Sequence, residues 1–401
     1  MNILAIPATF GYSNPVSGGQ NRFSNLLDEL FKKENCIYLL EANSVIDSKD
    51  SINFNVFSYN ELSFCGRMLS IFRDITPSYI VQIRNILKNE QIDLIQITHP
   101  SGAFIIKLLC FIYKMKIPIV YDAHNVESHF IKETFLLSQR HSFLEHILVF
   151  TYTRLLDQIA IKYWIDYVNT VSLKDRDVFI QEFGINPDKI DVIPSGCHIK
   201  NTHSSKSQCT IRNDFGINSD TIIIFFHGSF THPPNRKAFE IIQDLIAPSF
   251  EQRKNILFLV GGSKFPKFVE KNIVSLGFID NLYDVLSIAD IAIVPLKHGA
   301  GTKLKIFDYF SVGLPVITTK KGIEGIEAIN NEHAVILDDI DQYFIDAINN
   351  LIENEFDRRR IGLNGLKLAE SKYEWGKIGE KLDICFKAYR TRVNDCETTA
   401  K

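Results

Sequence analysis

A glycine-flanked loop near residue 300 carries the residues best suited to bind a charged ligand. The run KHGAGTKLKIFDYFSVGLPVITT follows the apolar stretch IAIVPL, which we predict to be a buried strand. Gly299 and Gly301 would let the backbone approach a ligand closely. A helix that begins near Thr302 would offer unpaired N–H groups and a partial positive charge. The loop from Gly299 to Thr302, with Ala300 in it, is therefore predicted to bind a diphosphate.

Lys305 and Asp308 follow this loop at a spacing that would bring them to the same ligand. Residues 301, 305 and 308 would share one face of the helix, whereas Lys303 would point elsewhere. Lys305 could neutralise the charge of the diphosphate, and Asp308 could accept hydrogen bonds from ribose hydroxyls. The alternative is an exposed Lys–Asp pair at a helix start, which would need no ligand.

Histidines and acidic residues follow predicted strands in the first half of the chain. His99 ends DLIQITH and His124 follows IPIVYDA, so both would lie at the carboxyl edge of a sheet. A single strand-end histidine is usually structural, but two at neighbouring strand ends favour function. Glu127 could act as a base toward a hydroxyl group. The Asp-x-Asp of SLKDRD could chelate a metal ion, but Ser172 and Asp175 fit a capping box, so no metal is predicted.

Two series of alternating strands and helices would position these residues. The predicted strands are NILAIPA, IYLLEA, DLIQITH, IPIVYDAH, VNTVS and KIDVIPSG, then TIIIFFHGS, ILFLVGG, IVSLGFI, IAIVPL, PVITT and AVILDD. This alternation predicts an α/β fold with a doubly wound parallel sheet in each half. The polar stretch between the halves is typical of a linker. We predict a first domain at 1–197, a linker at 198–220, a second domain at 221–372, and a C-terminal helix and tail at 373–401.

Composition excludes several classes of function. With a formal net charge of −3 and 45% hydrophobic residues, we expect a folded protein that does not bind nucleic acid. Seven cysteines without paired spacing favour reduced thiols in the cytoplasm, and MNILAIPATF indicates a first strand and not a signal peptide. The helical region from Phe130 to Trp164 interleaves apolar and basic residues. It suits either a peripheral contact with the inner face of the membrane or a buried helix pair with solvated charges.

The segment GAGTKLKIFDYFSVGLPVITTKKGIEGI closely resembles the nucleotide-binding signature of GT-B glycosyltransferases of family four, a large retaining group. LGFIDNLYDVLSIADIAIVPL is similar to the family's base-binding strand and the helix after it. VIPSG resembles the motif before the domain crossover, and YEWGKIGEKL resembles the C-terminal helix that returns to the first domain. The resemblance covers most of the chain and implies two Rossmann-like domains that face a cleft.

The resemblance also implies roles for individual residues. His124 matches a histidine that contacts the transferred sugar, and Gly18 and Gly19 match a loop that the family uses at the cleft. Lys305, His124 and Asp308 would be catalytic. The set predicted to bind the donor is Gly18, Gly19, Gly228, Ser229, Gly277, Phe278, Gly299, Ala300, Gly301, Thr302, Lys305 and Asp308.

The chain departs from the family pattern in two places. Many members carry two glutamates that flank seven residues, whereas here these positions are Ala300 and Asp308. Many also place an arginine and a lysine after the first strand of the second domain, where this chain reads FFHGSFTHPPNRKAF. Arg236 and Lys237 come late in that segment, so we do not assign them the phosphate-binding role. The pattern indicates a subgroup that binds phosphate with fewer cations.

The sequence therefore predicts a glycosyltransferase that moves a hexose, with retention, from a nucleoside-diphosphate sugar to a glycan, lipid-linked or small-molecule acceptor. The expected context is the synthesis of cell-surface polysaccharide or glycoconjugate. The donor would carry UDP or GDP, and no cofactor is expected. The alternatives are a nucleotide-sugar epimerase of the same fold and a non-catalytic GT-B subunit.

Overall fold

The computed structural model describes residues 1–7, 12, 18–43, 53–61, 76–137, 143–199 and 207–398. The chain divides into two compact units. Unit 1 comprises Met1–Lys132, His141–Ser195 and Trp375–Lys401, and unit 2 comprises Glu133–Arg140 and Gly196–Glu374.

A seven-stranded parallel sheet lies at the centre of the described part of unit 1. Its strands are β1 (Asn2–Ile6), β2 (Cys36–Ala42), β3 (Asn55–Tyr59), β4 (Leu94–Ile97), β5 (Ile119–Ala123), β6 (Tyr167–Thr170) and β7 (Ile190–Val192), in the order β3-β2-β1-β4-β5-β6-β7. The helices of this part of the chain are α1 (Gly18–Lys32), α2 (Pro77–Asn89), α3 (Ala103–Ile112), α4 (Glu127–Leu137), α5 (Phe143–Tyr163) and α6 (Leu173–Phe183), and α4 belongs to unit 1 up to Lys132 and to unit 2 from Glu133 onward.

The central strands of this sheet are buried on both faces. Leu4 and Ile95 belong to the core on one face, and Ile3 and Leu94 belong to the core on the other. Side chains alternate between the two faces along a strand, so a strand buried on both sides reads as a continuous apolar run. The apolar runs of the sequence predict these strands for that reason.

Unit 2 repeats the architecture around a second seven-stranded sheet. Its strands are β8 (Ile222–His227), β9 (Ile256–Gly261), β10 (Lys267–Glu270), β11 (Ile273–Leu276), β12 (Ile291–Val294), β13 (Val316–Thr319) and β14 (Val335–Leu337), in the order β10-β11-β9-β8-β12-β13-β14. β10 pairs antiparallel with β11, and the other pairings are parallel. The helices are α7 (Gln208–Asp214), α8 (Pro233–Ile241), α9 (Leu282–Ile288), α10 (Leu304–Ser311), α11 (Gln342–Glu353) and α12 (Glu355–Leu368).

The last helix, α13 (Trp375–Thr398), packs in unit 1. Its residues Trp375 and Leu382 share a buried cluster with Phe23 and Leu27 of α1. The predicted return of the C-terminal helix to the first domain is confirmed, as is the predicted fold class of two Rossmann-like domains. The described helices include none that is long and apolar enough to cross a membrane.

The stretch predicted as a linker, residues 198–220, contains helix α7 in its described part. Ser207 caps this helix by accepting a hydrogen bond of 3.1 Å from the Thr210 N–H, and Ile211 is buried. A single buried apolar residue gives too weak a periodicity to predict a helix within a polar segment. Residues 200–206 of the predicted linker lie outside the described ranges.

Each sheet has one position where the direction of strand addition reverses. In unit 1 β1 lies between β2 and β4, and in unit 2 β8 lies between β9 and β12. Open parallel sheets bind ligands beyond the carboxyl ends of the strands at such a position. A ligand of unit 2 would therefore lie near the residues that follow β8 and β12.

Candidate active site

Lys305 and Asp308 lie one turn apart in α10 and are turned into unit 2. Lys305 is 8% exposed, and the Asp308 side chain is 28% exposed. They therefore do not form the exposed pair that the sequence left as an alternative. The helix begins at Leu304, two residues after Thr302, so residue 301 lies outside the helix.

The Lys305 ammonium is held by one amide and one aromatic ring. Its Nζ donates a hydrogen bond of 2.8 Å to Asn235 Oδ1 and lies 4.2 Å from the centre of the Phe226 ring. The pKa of Lys305 is lowered to about 7, mainly by burial and also by the nearby Lys303 ammonium, while Asp308 opposes the shift. The site therefore holds a cation that a bound anion would stabilise.

Asp308 faces a histidine that the sequence analysis missed. Asp308 Oδ2 lies 3.5 Å from Nε2 of His227, the last residue of β8. Burial raises the pKa of Asp308 to about 7, against the effect of Lys305, and burial together with Lys305 lowers the pKa of His227 to about 3. His227 is therefore neutral, and its buried Nε2 has no hydrogen-bond partner among the described residues.

The loop before α10 has the conformation that its glycines permit. Gly299 has φ 119° and Gly301 has φ 68°, both in the region that favours glycine. Lys303 donates from Nζ to the carbonyl oxygens of Gly299 at 3.0 Å and Ala300 at 3.2 Å, and also to that of Gly301. The Lys303 side chain therefore folds back onto the loop and fixes it. Thr302 Oγ1 is buried without a hydrogen-bond partner in the described ranges.

One N–H group of this loop already binds a carboxylate. The Gly299 N–H donates to Oε2 of Glu133, a residue of the same unit, at 2.9 Å, and Lys321 Nζ donates to Oε1 at 2.9 Å. These donors lower the pKa of Glu133 although burial opposes the shift. The loop thus presents at least one amide to an anionic oxygen, as a phosphate-binding loop must.

Gly228 and Ser229 follow β8 beside the Lys305 ammonium. A Cβ on Gly228 would come within 2.7 Å of Asn235 Nδ2 and 2.9 Å of Lys305 Nζ, so only glycine leaves room for both groups. The Ser229 carbonyl oxygen accepts a hydrogen bond of 3.1 Å from Asn235 Nδ2. Arg236 and Lys237 are exposed on α8 and pair with Glu240, and neither is predicted to bind phosphate.

Gly277 and Phe278 directly follow β11. Gly277 has φ 72°, and its carbonyl oxygen accepts a hydrogen bond of 2.8 Å from the Gly262 N–H. Phe278 is 68% exposed. A role for these two residues in base binding stays a prediction.

His124, the histidine predicted to contact the sugar, lies beside a buried ion pair in unit 1. Arg22 Nη2 binds Asp122 Oδ1 at 2.6 Å, and Nη1 donates to the Pro194 carbonyl oxygen at 2.7 Å. His124 Nε2 lies 3.6 Å from the other oxygen of Asp122, and burial lowers the pKa of His124 to about 4. Arg22 therefore holds strands and helix together and positions the carboxylate beside His124.

Gly18 and Gly19 are the first residues of α1, whereas the sequence placed them in the preceding loop. Residues 13–17 of that loop lie outside the described ranges. The ends of α1 and β1 are thus described, but the link between them is not, and a role for the two glycines at a ligand stays a prediction.

Of the remaining residues considered in unit 1, His99 and Ser172 make local structural contacts, whereas Glu127 has a shifted pKa. His99 Nδ1 accepts a hydrogen bond of 3.2 Å from the Ser101 N–H, which is a local turn contact. Ser172 Oγ accepts from the Asp175 N–H at 3.1 Å, so the predicted capping box is present. Burial raises the pKa of Glu127 to about 7, which is the range of a general base at neutral pH.

Family models match both halves of the chain. Residues 60–200 match the model described as Glycosyltransferase Family 4, and residues 221–354 match the model described as Glycosyl transferases group 1. The chain is a glycosyltransferase. No curated protein matches this glycosyltransferase.

Solved structures of low sequence identity share the GT-B fold of this glycosyltransferase. HepE from Anabaena in complex with UDP is 15% identical, with a TM-score of 0.72 over 97% of this chain and 100% of HepE. Sucrose-phosphate synthase from Thermosynechococcus elongatus is 14% identical, with a TM-score of 0.73 over 97% of this chain and 99% of that one. WaaG, which is involved in lipopolysaccharide biosynthesis, is 15% identical, with a TM-score of 0.66 over 96% and 99% of the two chains.

Two residues of the glycosyltransferase's candidate site were not singled out from the sequence. His227 follows a predicted strand, as His99 and His124 do, so its position could have indicated it. Asn235 ends the PPN run on α8 and precedes the Arg236 and Lys237 that were considered, but the sequence assigned it no role of its own. The structure places both beside the α10 residues that were predicted.

Proposed function

We propose that this glycosyltransferase transfers a hexose from a UDP- or GDP-linked donor, with retention of configuration, to a glycan, lipid-linked or small-molecule acceptor. The context would be the synthesis of cell-surface polysaccharide or glycoconjugate. Unit 2 would bind the donor. HepE, which shares the fold, is solved in complexes with UDP and UDP-glucose, and this supports a nucleotide-sugar donor.

The buried ammonium of Lys305 is the observation that supports this proposal best. Its hydrogen-bond acceptor is the neutral amide of Asn235, so its charge is not cancelled at that contact. The bond between sugar and diphosphate breaks toward the phosphate, where negative charge develops. A fixed ammonium at that oxygen would stabilise the transition state more than the bound donor.

Two buried polar atoms, one at the end of β8 and one in the loop before α10, support a polar ligand at this edge of the sheet. His227 Nε2 and Thr302 Oγ1 have no hydrogen-bond partner among the described residues. Buried polar groups are nearly always paired, so hydroxyl or phosphate oxygens of a donor would complete them. Asp308, whose side chain remains partly exposed, is assigned to the ribose hydroxyls.

We assign His124 to the transferred sugar, as the family resemblance implies. Burial keeps its imidazole neutral, with a pKa of about 4, so it would act as a hydrogen-bonding group and not as a cation. A retaining front-face reaction needs no enzyme nucleophile, because the departing phosphate can take the proton of the acceptor hydroxyl. No cofactor or metal ion is required by this scheme.

Replacing Lys305 by methionine tests the proposal. Lys305→Met should lower turnover about a hundredfold or more, because it removes the charge but keeps an apolar chain of similar length. Lys237→Met is the matched control, since Lys237 is exposed and pairs with Glu240. Turnover is measured with UDP-, GDP- and ADP-hexoses, and unchanged turnover in Lys305→Met would remove Lys305 from the mechanism.

Product analysis in the same assay separates the alternatives. Conversion of a donor into another nucleotide sugar without any acceptor would identify an epimerase. A melting temperature that does not respond to UDP, GDP or ADP would identify a non-catalytic subunit, because a ligand that binds the native state raises it.

We further propose that unit 1 makes a peripheral contact with the membrane. Along α3, Phe104, Leu108, Phe111 and Ile112 are all exposed, and Phe111 is 80% exposed. Their spacing places them on one helix face, and two exposed lysines, 114 and 116, follow the helix. An apolar face with flanking lysines suits an anionic bilayer surface, and cosedimentation with anionic vesicles measures such a contact.

A further inference from the structure

Asn235 is a buried amide that joins the start of α8 to the candidate active site. It is 8% exposed and follows Pro233 and Pro234, which occupy the first two positions of the helix. Proline fixes φ near −65°, so these residues make the start of the helix rigid. The Asn235 N–H also donates to the His232 carbonyl oxygen at 3.0 Å. The backbone that carries this side chain is therefore firmly placed.

Both ends of the Asn235 amide have a defined partner. Nδ2 donates to the Ser229 carbonyl oxygen at 3.1 Å, and Oδ1 accepts from Lys305 Nζ at 2.8 Å. A lysine ammonium can only donate and a carbonyl oxygen can only accept, so the amide has one permitted orientation. The two hydrogen bonds thus tie the lysine of α10 to the loop after β8.

We infer that Asn235 is a positioning residue, which holds the Lys305 ammonium at the Gly228–Ser229 backbone where the diphosphate of the donor binds. This inference rests on the proposed function. The ammonium has three N–H groups, and one of them donates to Asn235 Oδ1. The centre of the Phe226 ring lies 4.2 Å from Nζ. The position is shaped for the ammonium, because a Cβ on Gly228 would come within 2.9 Å of Nζ.

A neutral acceptor suits this task better than a carboxylate. A carboxylate at residue 235 would form an ion pair with Lys305 and compete with the diphosphate for it. An amide oxygen orients the ammonium but leaves its charge for the ligand. Asparagine therefore suits this position better than aspartate for electrostatic reasons, although the two side chains have nearly the same shape.

Calorimetry with three probes tests the inference: UDP, inorganic pyrophosphate and uridine. Asn235→Ala should weaken the binding of UDP and pyrophosphate about tenfold, the effect of one hydrogen bond to a charged group, and leave uridine unchanged. Arg236→Ala is the matched control, because Arg236 is an exposed neighbour on α8 that pairs with Glu240. Equal losses for UDP and uridine would show a general structural role and overturn the inference.

The pH dependence of UDP affinity gives a second readout. In the wild type, burial lowers the pKa of Lys305 to about 7, so affinity should fall as the pH rises through that value. Asn235→Asp places a negative charge beside the ammonium and should move this midpoint upward by one unit or more, whereas Asn235→Ala should move it downward. The titratable groups that face Lys305 are Lys303, Asp308, His227 and His232, and they are present in all variants, as is the ionisation of UDP, so the comparison isolates the change at residue 235. A midpoint that stays unchanged in Asn235→Asp would overturn the inference.

Exchange of the two side chains protects the test against simple misfolding. Lys305 Nζ and Asn235 Oδ1 are 2.8 Å apart, so a lysine at residue 235 can reach the space that Lys305→Asn vacates. The double variant Asn235→Lys, Lys305→Asn should bind pyrophosphate at least about tenfold more tightly than Lys305→Asn alone. No recovery in a double variant that melts like the wild type would contradict the inference.

The wild-type measurements distinguish failure of the inference from failure of the proposed function. If the wild type binds pyrophosphate but not UDP, GDP or ADP, the proposed donor is wrong, and the effect of Asn235→Ala on pyrophosphate still decides the inference. If the wild type binds neither pyrophosphate nor any of these nucleotides, both are refuted.

Discussion

A methyl group added at Gly228 would test the packing on which the candidate site depends. The new Cβ would lie 2.7 Å from Asn235 Nδ2 and 2.9 Å from Lys305 Nζ. Non-bonded heavy atoms prefer about 3.5 Å, so the two groups must each retreat by roughly 0.6 to 0.8 Å. The backbone of Gly228 has little freedom to retreat instead, because it packs closely against Gly262. A Cβ added at Gly262 would lie only 2.1 Å from the Gly228 carbonyl oxygen.

We expect Gly228→Ala to cost about 1–3 kcal/mol as overpacking and to weaken UDP binding about tenfold or more. The displaced ammonium would lose its hydrogen bond of 2.8 Å to Asn235 and its alignment with the ligand. UDP affinity is measured by calorimetry, and stability by thermal unfolding.

Gly184→Ala in unit 1 is the control for this experiment. Gly184 has φ 68°, and a Cβ there would meet no heavy atom within 4 Å among the described residues. The variant should lose about 1–2 kcal/mol of stability from backbone strain and keep its UDP affinity. If Gly228→Ala bound UDP as tightly as the wild type, the ligand would not depend on the ammonium position, and the reasoning about Lys305 would be refuted.

Two further predictions concern protonation and the membrane. UDP affinity should decline between about pH 6 and about pH 9 because Lys305, whose pKa burial lowers to about 7, loses its charge in that range. Calorimetry of wild type and Lys305→Met checks this, and an equal decline in both would assign it to Asp308, whose pKa burial raises to about 7, or to the nucleotide, and not to Lys305. Phe111→Ser should reduce cosedimentation with vesicles that contain phosphatidylglycerol about tenfold, whereas Phe356→Ser, an equally exposed change in unit 2, should not; equal effects would argue against α3 as the contact.

The fold could be predicted from the sequence where strands are buried on both faces. All the predicted strands occur in the structure, but β3 and β10 were not predicted. Both lie at the edge of their sheets, and their residues are mostly exposed or half-buried. An edge strand covered on one side lacks the continuous apolar run that reveals a central strand.

The candidate site was predictable only where its residues are close in sequence. The spacing of Lys305 and Asp308 follows from helix geometry alone. Asn235 is 70 positions from Lys305 in the chain, and no periodicity links them. The exact first residue of α10, Leu304, was also not predictable from the sequence. The N-cap residue is Lys303, whose side chain makes no hydrogen bond to an N–H group of the helix, so the sequence carries no capping signal there.

The arrangement explains how a phosphate site could work with few cations. The Lys303 ammonium is bound to three loop carbonyls, so it fixes the loop and is not free to follow a ligand. Burial lowers the pKa of Lys305 to about 7 and raises that of Asp308 to about 7. Near neutral pH each side chain is therefore only partly ionised, which reduces the cost of burying the two charges. A diphosphate would favour the charged form of Lys305, so its binding near neutral pH should take up a proton at that residue. Under the proposed function one ammonium would then be sufficient, because its charge would be fully developed in the buried site only with the diphosphate bound.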